Sequence, residues 1–128
     1  ALLNMGFCSV LVLVGCHHDG NDLYRVDIAT GAVTRLTHDK FDEQDPEFAP
    51  SGNKIVFACD RPSDQSTPLL MSESQDPRTF KYGRYNIFEA DLNESTVRPL
   101  TNDDSECKTP VYSPDGQRVC YVSNSNGI

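Results

Sequence analysis

The sequence predicts an all-β chain built of four-stranded antiparallel units, and three observations carry that prediction. The chain repeats itself, residues 22–61 aligning with 86–125 at a shift of 64 without a gap. Each copy is punctuated by a Pro-x-Gly turn, Pro50-Ser51-Gly52 and Pro114-Asp115-Gly116. No stretch longer than a turn or two shows helical periodicity, whereas short alternating or continuous apolar runs recur. The matches fall on turn residues and apolar positions: Asp22-Leu23-Tyr24 on Asn86-Ile87-Phe88, Asp27 on Asp91, Leu36-Thr37 on Leu100-Thr101, and Lys54-Ile55-Val56-Phe57 on Arg118-Val119-Cys120-Tyr121. Those are the positions a structural repeat must constrain.

Each unit reads as four short strands. The first, 23–28 (87–92 in the second copy), alternates, with Tyr24, Val26 and Ile28 expected on one side. A turn at Thr30-Gly31 or Asn93-Glu94 leads to the second, 32–36 or 96–100. After an acidic loop, a third strand, 47–49 or 111–113, enters the Pro-x-Gly turn. There Pro presets φ and Gly supplies φ > 0, so a hairpin is expected. The fourth, 54–59 or 118–123, is apolar on both faces, as in a strand sandwiched between layers.

Length and charge bound the function. A chain of 128 residues allows one domain at most. A net charge of −8 argues against nucleic acid or an anionic membrane surface as partner, since both require a basic face.

Residues 1–15 contain no charged residue. The apolar run at 10–14 is too short to span a bilayer as a helix, which takes about 20 residues. It suits the apolar segment of a secretory signal. Leu13-Val14-Gly15-Cys16 resembles a bacterial lipobox, in which Cys16 would be lipidated and become the new N-terminus. The chain opens on Ala1 without a basic segment, and reads as a gene fragment lacking its first residues. The alternative for the apolar run is a buried β-strand. The expected division is a signal at 1–15, a tether at 16–21 and a partial repeat domain at 22–128 with a long insert at 62–84. His17 follows the cysteine where an aspartate would signal inner-membrane retention. The expected address is therefore the periplasmic side of the cell envelope, anchored to the outer membrane, with membrane contact only through the lipid on Cys16.

Four-stranded units with this punctuation belong to β-propellers. The residues resemble the TolB-type propeller repeat: Asp22-Leu23-Tyr24, Leu36-Thr37, then Pro46-Glu47-Phe48-Ala49-Pro50-Ser51-Gly52 and an apolar strand from Lys54. The second copy matches more closely at its turn, Pro110-Val111-Tyr112-Ser113-Pro114-Asp115-Gly116. The first departs there, with Ala49 and Ser51 replacing the usual serine and aspartate. The resemblance implies that the innermost strand of each blade leads into the Pro-x-Gly turn. The chain then parses as an outer pair, one full blade and an inner pair. A closed ring needs about 4–8 blades, so an incomplete propeller is expected.

Strand parity places the acidic loops 38–45 and 102–108 on one rim with the insert, opposite the glycine turns. Asp39, Asp42, Glu43, Asp45, Asp103, Asp104 and Glu106 are the candidate partner-binding residues, facing a protein or glycan. Their spacing fits no EF-hand loop, and neither a metal nor a cofactor is expected. Neither a nucleophile elbow, nor a zinc motif, nor a phosphate loop is present, so no catalytic residue is assigned and a non-enzymatic scaffold is expected. Propellers of this type also precede serine-peptidase domains, and a gating propeller of a longer hydrolase is the alternative. Cys59 and Cys120 are expected as small core residues and Cys107 in a loop, with no disulfide assignable.

Overall fold

In the computed structural model, residues 20–63, 66–69 and 83–124 are described in full and residues 8–13 as backbone. Among the described residues all ten elements are strands: β1 Cys8–Leu13, β2 Asp22–Asp27, β3 Val33–Arg35, β4 Glu43–Phe48, β5 Lys54–Cys59, β6 Thr67–Pro68, β7 Asn86–Asp91, β8 Thr96–Pro99, β9 Cys107–Tyr112 and β10 Val119–Ser123. They form three antiparallel sheets, ordered β1-β2-β3, β4-β5-β7-β8-β6 and β10-β9. The outer pair, full blade and inner pair are thus present, and the fold is an incomplete propeller.

Local chemistry explains the repeat. In each unit the backbone N–H after the first motif residue donates to the threonine hydroxyl of Leu-Thr: Leu23 N to Thr37 Oγ1 at 2.8 Å, Ile87 N to Thr101 Oγ1 at 2.9 Å. The aspartate ending the first strand accepts the N–H groups of the following turn, Ala29 and Thr30 at Asp27, Asn93 and Glu94 at Asp91. Gly52 and Gly116, at φ of 79° and 72°, close the hairpin turns by donating to Ala49 O and Ser113 O. The second turn carries extra bonds, Gln117 N to Asp115 and Arg118 N to the Ser113 hydroxyl; in the first turn Ala49 has no hydroxyl and Ser51 bonds the Asn53 side chain.

β5 is the centre of the molecule. Ile55, Phe57 and Cys59 face a core shared with Leu23, Leu36, Phe41, Phe88 and Val97, toward the outer pair. Val56 and Ala58 face a second core with Ile87, Cys107 and Tyr112, toward the inner pair. Both sides of one strand are therefore buried, as its continuous apolar sequence requires. Phe57 and Phe88 lie directly opposite in register and stack at 6.1 Å between ring centroids.

Two details differ from expectation, the start of the inner strands and the burial of two cysteines. β2 buries Leu23, while Ile28 is exposed. The repeat shift puts Tyr24, Val26 and Ile28 where Phe88, Ala90 and Leu92 stand, so they face outward, on the side where a preceding blade would lie. The inner strands start four residues early, at Glu43 and Cys107, because a bulge carries the ladder past Asp45 and Thr109. Both bulge residues have positive φ, 52° and 51°. Cys120 is exposed and Cys107 fully buried, the reverse of the expected pattern, and Cys59, Cys107 and Cys120 are free thiols. Cys8–Leu13 forms strand β1, antiparallel to β2 along its edge.

Candidate functional site

The rim is assembled from the loops following β3 and β8 and the ends of the insert. Ser63 Oγ donates to Asn102 Oδ1 at 2.7 Å, and Tyr85 N to Glu106 Oε2 at 3.4 Å. Asp42 N donates to Asp60 Oδ1 at 2.9 Å, and Tyr85 donates its hydroxyl to Asp42. The acidic loops and the described insert ends therefore meet on one face. The turns at Gly52 and Gly116 meet elsewhere, the latter against Pro50.

Beneath the rim lies a buried polar cluster. Arg61, 1% exposed, donates to Glu43 Oε1 at 2.8 Å and Asp39 Oδ2 at 3.1 Å. It also lies 5.6–5.9 Å from the centroids of Phe41, Phe57 and Phe88. Thr37 donates to Glu43 Oε2 at 2.9 Å. Asp22, Asp39 and Glu43 present oxygens within 4.8 Å of one another, a spacing suited to a cation, and the Arg61 guanidinium supplies the positive charge at Asp39 and Glu43. Asp22 is paired with the Arg35 guanidinium, so Arg61 serves two carboxyls, Asp39 and Glu43. Burial, reinforced by Asp39, pushes Glu43 up to about 8 against the pull of Arg61. Burial likewise raises Asp39 and the Cys59 thiol.

The seven carboxylates proposed from sequence therefore divide. Glu43 is fully buried and opens to no partner, which corrects its assignment to a surface loop; the bulge at Asp45 draws it into β4. Asp39, its side chain 6% exposed, is held by Arg61 and by Phe41 N at 2.8 Å. Asp42 and Glu106 are half-buried; Asp42 accepts from Asn21 N and Gln44, Glu106 from Tyr85 N. Asp45, Asp103 and Asp104 are exposed. Asp45 also accepts the N–H of Thr109, its counterpart one repeat later, at 3.1 Å, and so ties adjacent inner strands together. Cys16 lies outside the described residues, as does most of the insert.

Sequence reasoning missed three contributors. Arg61 was passed over, although a cation just beyond an apolar strand needs an anionic partner. Tyr85, linked to Asp42 and covered by the Lys108 ammonium at 4.6 Å, joins the two loops. Arg84, 3.9 Å from Glu106, adds a second basic group, so the rim is mixed in charge.

No protein-family model matches the chain. It is 27% identical over 131 aligned residues to the Tol-Pal system protein TolB of Francisella tularensis subsp. mediasiatica, covering 81% of this chain and 30% of that protein. An uncharacterized protein of Agrobacterium fabrum is 28% identical over 102 residues, covering 80% of this chain and 28% of that one. The chain thus spans about 30% of the length of the curated relatives it matches. Among solved structures, a protein assigned as TolB from Agrobacterium tumefaciens superposes with a TM-score of 0.68 at 24% identity, covering 94% of this chain and 36% of that one. TolB from Acinetobacter baumannii gives 0.66 at 19%, covering 94% and 25%. Repeat motif, strand order and structural likeness agree on the fold: the chain forms part of a β-propeller similar to that of the TolB proteins.

Proposed function

We propose that the chain is a non-catalytic binding scaffold of the bacterial cell envelope, anchored through a lipid on Cys16, which presents the acidic rim to a protein partner. The observation that carries this reading is the division of the rim. Buried groups lock the loops from beneath, while Asp45, Asp103 and Asp104 stay exposed above them. A rigid platform with free charge is suited to steering a cationic surface. The relatives named for the Tol-Pal system favour a protein over a glycan, and the partner proposed is a component of such a system.

Capture from detergent-solubilised envelopes of the source bacterium tests this. The immobilised chain should retain Tol-Pal components, and the triple variant Asp45→Asn, Asp103→Asn, Asp104→Asn should retain about tenfold less at low salt. Equal capture by the triple variant, or capture indifferent to ionic strength, would sink the assignment of the rim.

A further inference from the structure

We propose that Asn93, on the turn between β7 and β8, is an acceptor for N-linked glycosylation. Of the eight asparagines in the chain, Asn93 alone has a serine or threonine two places on, in Asn93-Glu94-Ser95, with no proline between. Bacterial oligosaccharyltransferases also read an acidic residue two places before the asparagine, and Asp91 stands there. The inference rests on the envelope location proposed above, because these enzymes meet exported chains.

Folding accounts for Asp91 but not for the residues after it. Asp91 Oδ1 accepts Asn93 N at 2.9 Å and Glu94 N at 3.0 Å, as Asp27 Oδ1 accepts Ala29 N and Thr30 N one repeat earlier. Both bonds fall on Oδ1, which leaves Oδ2 open to recognition. The first copy then places Gly31 at the left-handed position, φ 75°, where the missing Cβ removes the strain. The second copy places Ser95 there, at φ 55°, a backbone conformation that disfavours serine. Neither the Ser95 hydroxyl nor the Asn93 carboxamide bonds to a described residue, so no local contact offsets that strain. The serine against the backbone preference and the asparagine in place of Ala29 are the two residues the enzyme requires. Asn93, Glu94 and Ser95 are all exposed. Leu92 N donates to Asn53 O at 2.9 Å, which seats the turn beside the Gly52 hairpin, away from the acidic loops. A bulky polar glycan there leaves the exposed carboxylates of the rim uncovered. The step is a substitution at carbon. Asn93 Nδ2 attacks the anomeric carbon of an oligosaccharide carried on a lipid diphosphate. A C–N bond forms, the C–O bond to the diphosphate breaks, and its electron pair leaves with the lipid diphosphate. The amide gives up one proton to a base of the transferase and keeps the other, so no oxidant or reductant enters.

The test mixes the purified, folded whole chain with a bacterial oligosaccharyltransferase and its lipid diphosphate-linked oligosaccharide, and reads the intact mass. The chain should gain one oligosaccharide, and fragmentation should place it on Asn93. Asn93→Gln should abolish the gain. Ser95→Gly restores the residue of the first copy, should fold at least as well, and should lower the modified fraction at least tenfold. A folded chain that stays unmodified, or that is modified as fully with Ser95→Gly, would overturn the proposal. So would modification confined to the urea-unfolded chain. The reaction needs no export, so its failure leaves the envelope location standing, whereas a chain that takes no lipid at Cys16 in cells strikes the anchor and leaves the acceptor turn.

Discussion

Glu43 shows how one carboxyl can be read as surface from sequence and stand at the centre of the fold. Buried beside Asp39, with one guanidinium between the two carboxyls, Glu43 releases its proton less easily in the folded state than in the unfolded chain. Its carboxyl is raised from 4.5 to about 8, so its stabilising contribution is full below about pH 4.5 and is lost as pH rises through about 8. Urea midpoints measured from pH 5 to 8.5 should fall with pH, and Glu43→Gln, which preserves the acceptor for Arg61, should flatten that fall. Arg61→Met leaves buried carboxyls without a countercharge and should cost about 3–5 kcal/mol. Nothing in the local sequence announces this cluster, because its members come from β2, β4 and two loops. The Leu-Thr signature was legible because its bond is local to the motif. Thr37→Val and Thr101→Val each strip a partner from a backbone N–H, and each should cost about 1–3 kcal/mol by the same denaturation assay.

The strands were legible where the pattern was strong. β5, apolar from Ile55 to Cys59, has the predicted bounds, and the Pro-x-Gly hairpins stand where expected. The early start of β4 and β9 was not, since a bulge at a positive-φ Asp or Thr leaves only a polar signature that reads as loop. The strand β6 was also hidden. Thr67 and Pro68 pair with Val97 and Thr96, adding a fifth strand to the outer edge of the blade, and Leu69 is buried against the core. A short run containing proline carries no strand signal, and proline suits an edge. The insert is therefore part of the blade at this point. Leu69→Ala should destabilise the chain by about 2–5 kcal/mol in urea unfolding, a loss that a merely appended loop would not show. Removing residues 63–79 should lower the unfolding midpoint for the same reason, because it deletes both the strand and this side chain.

At the scale of the molecule, sheet order and partial ring were readable from the repeat, whereas the edge on which β1 sits was not, because pairing between half-blades depends on which edges are left open. The two readings of residues 1–15 converge there. If Cys16 is lipidated, processing between Gly15 and Cys16 removes β1 from β2 and uncovers that edge of β2. Expressed in a bacterial host, the chain preceded by a start methionine and a basic segment should incorporate labelled palmitate, and Cys16→Ser should abolish the label. Blocked at that step, the variant keeps residues 1–15 and should retain the mass of the unprocessed chain, while the lipidated chain loses them. Equal labelling of the variant would remove the anchor.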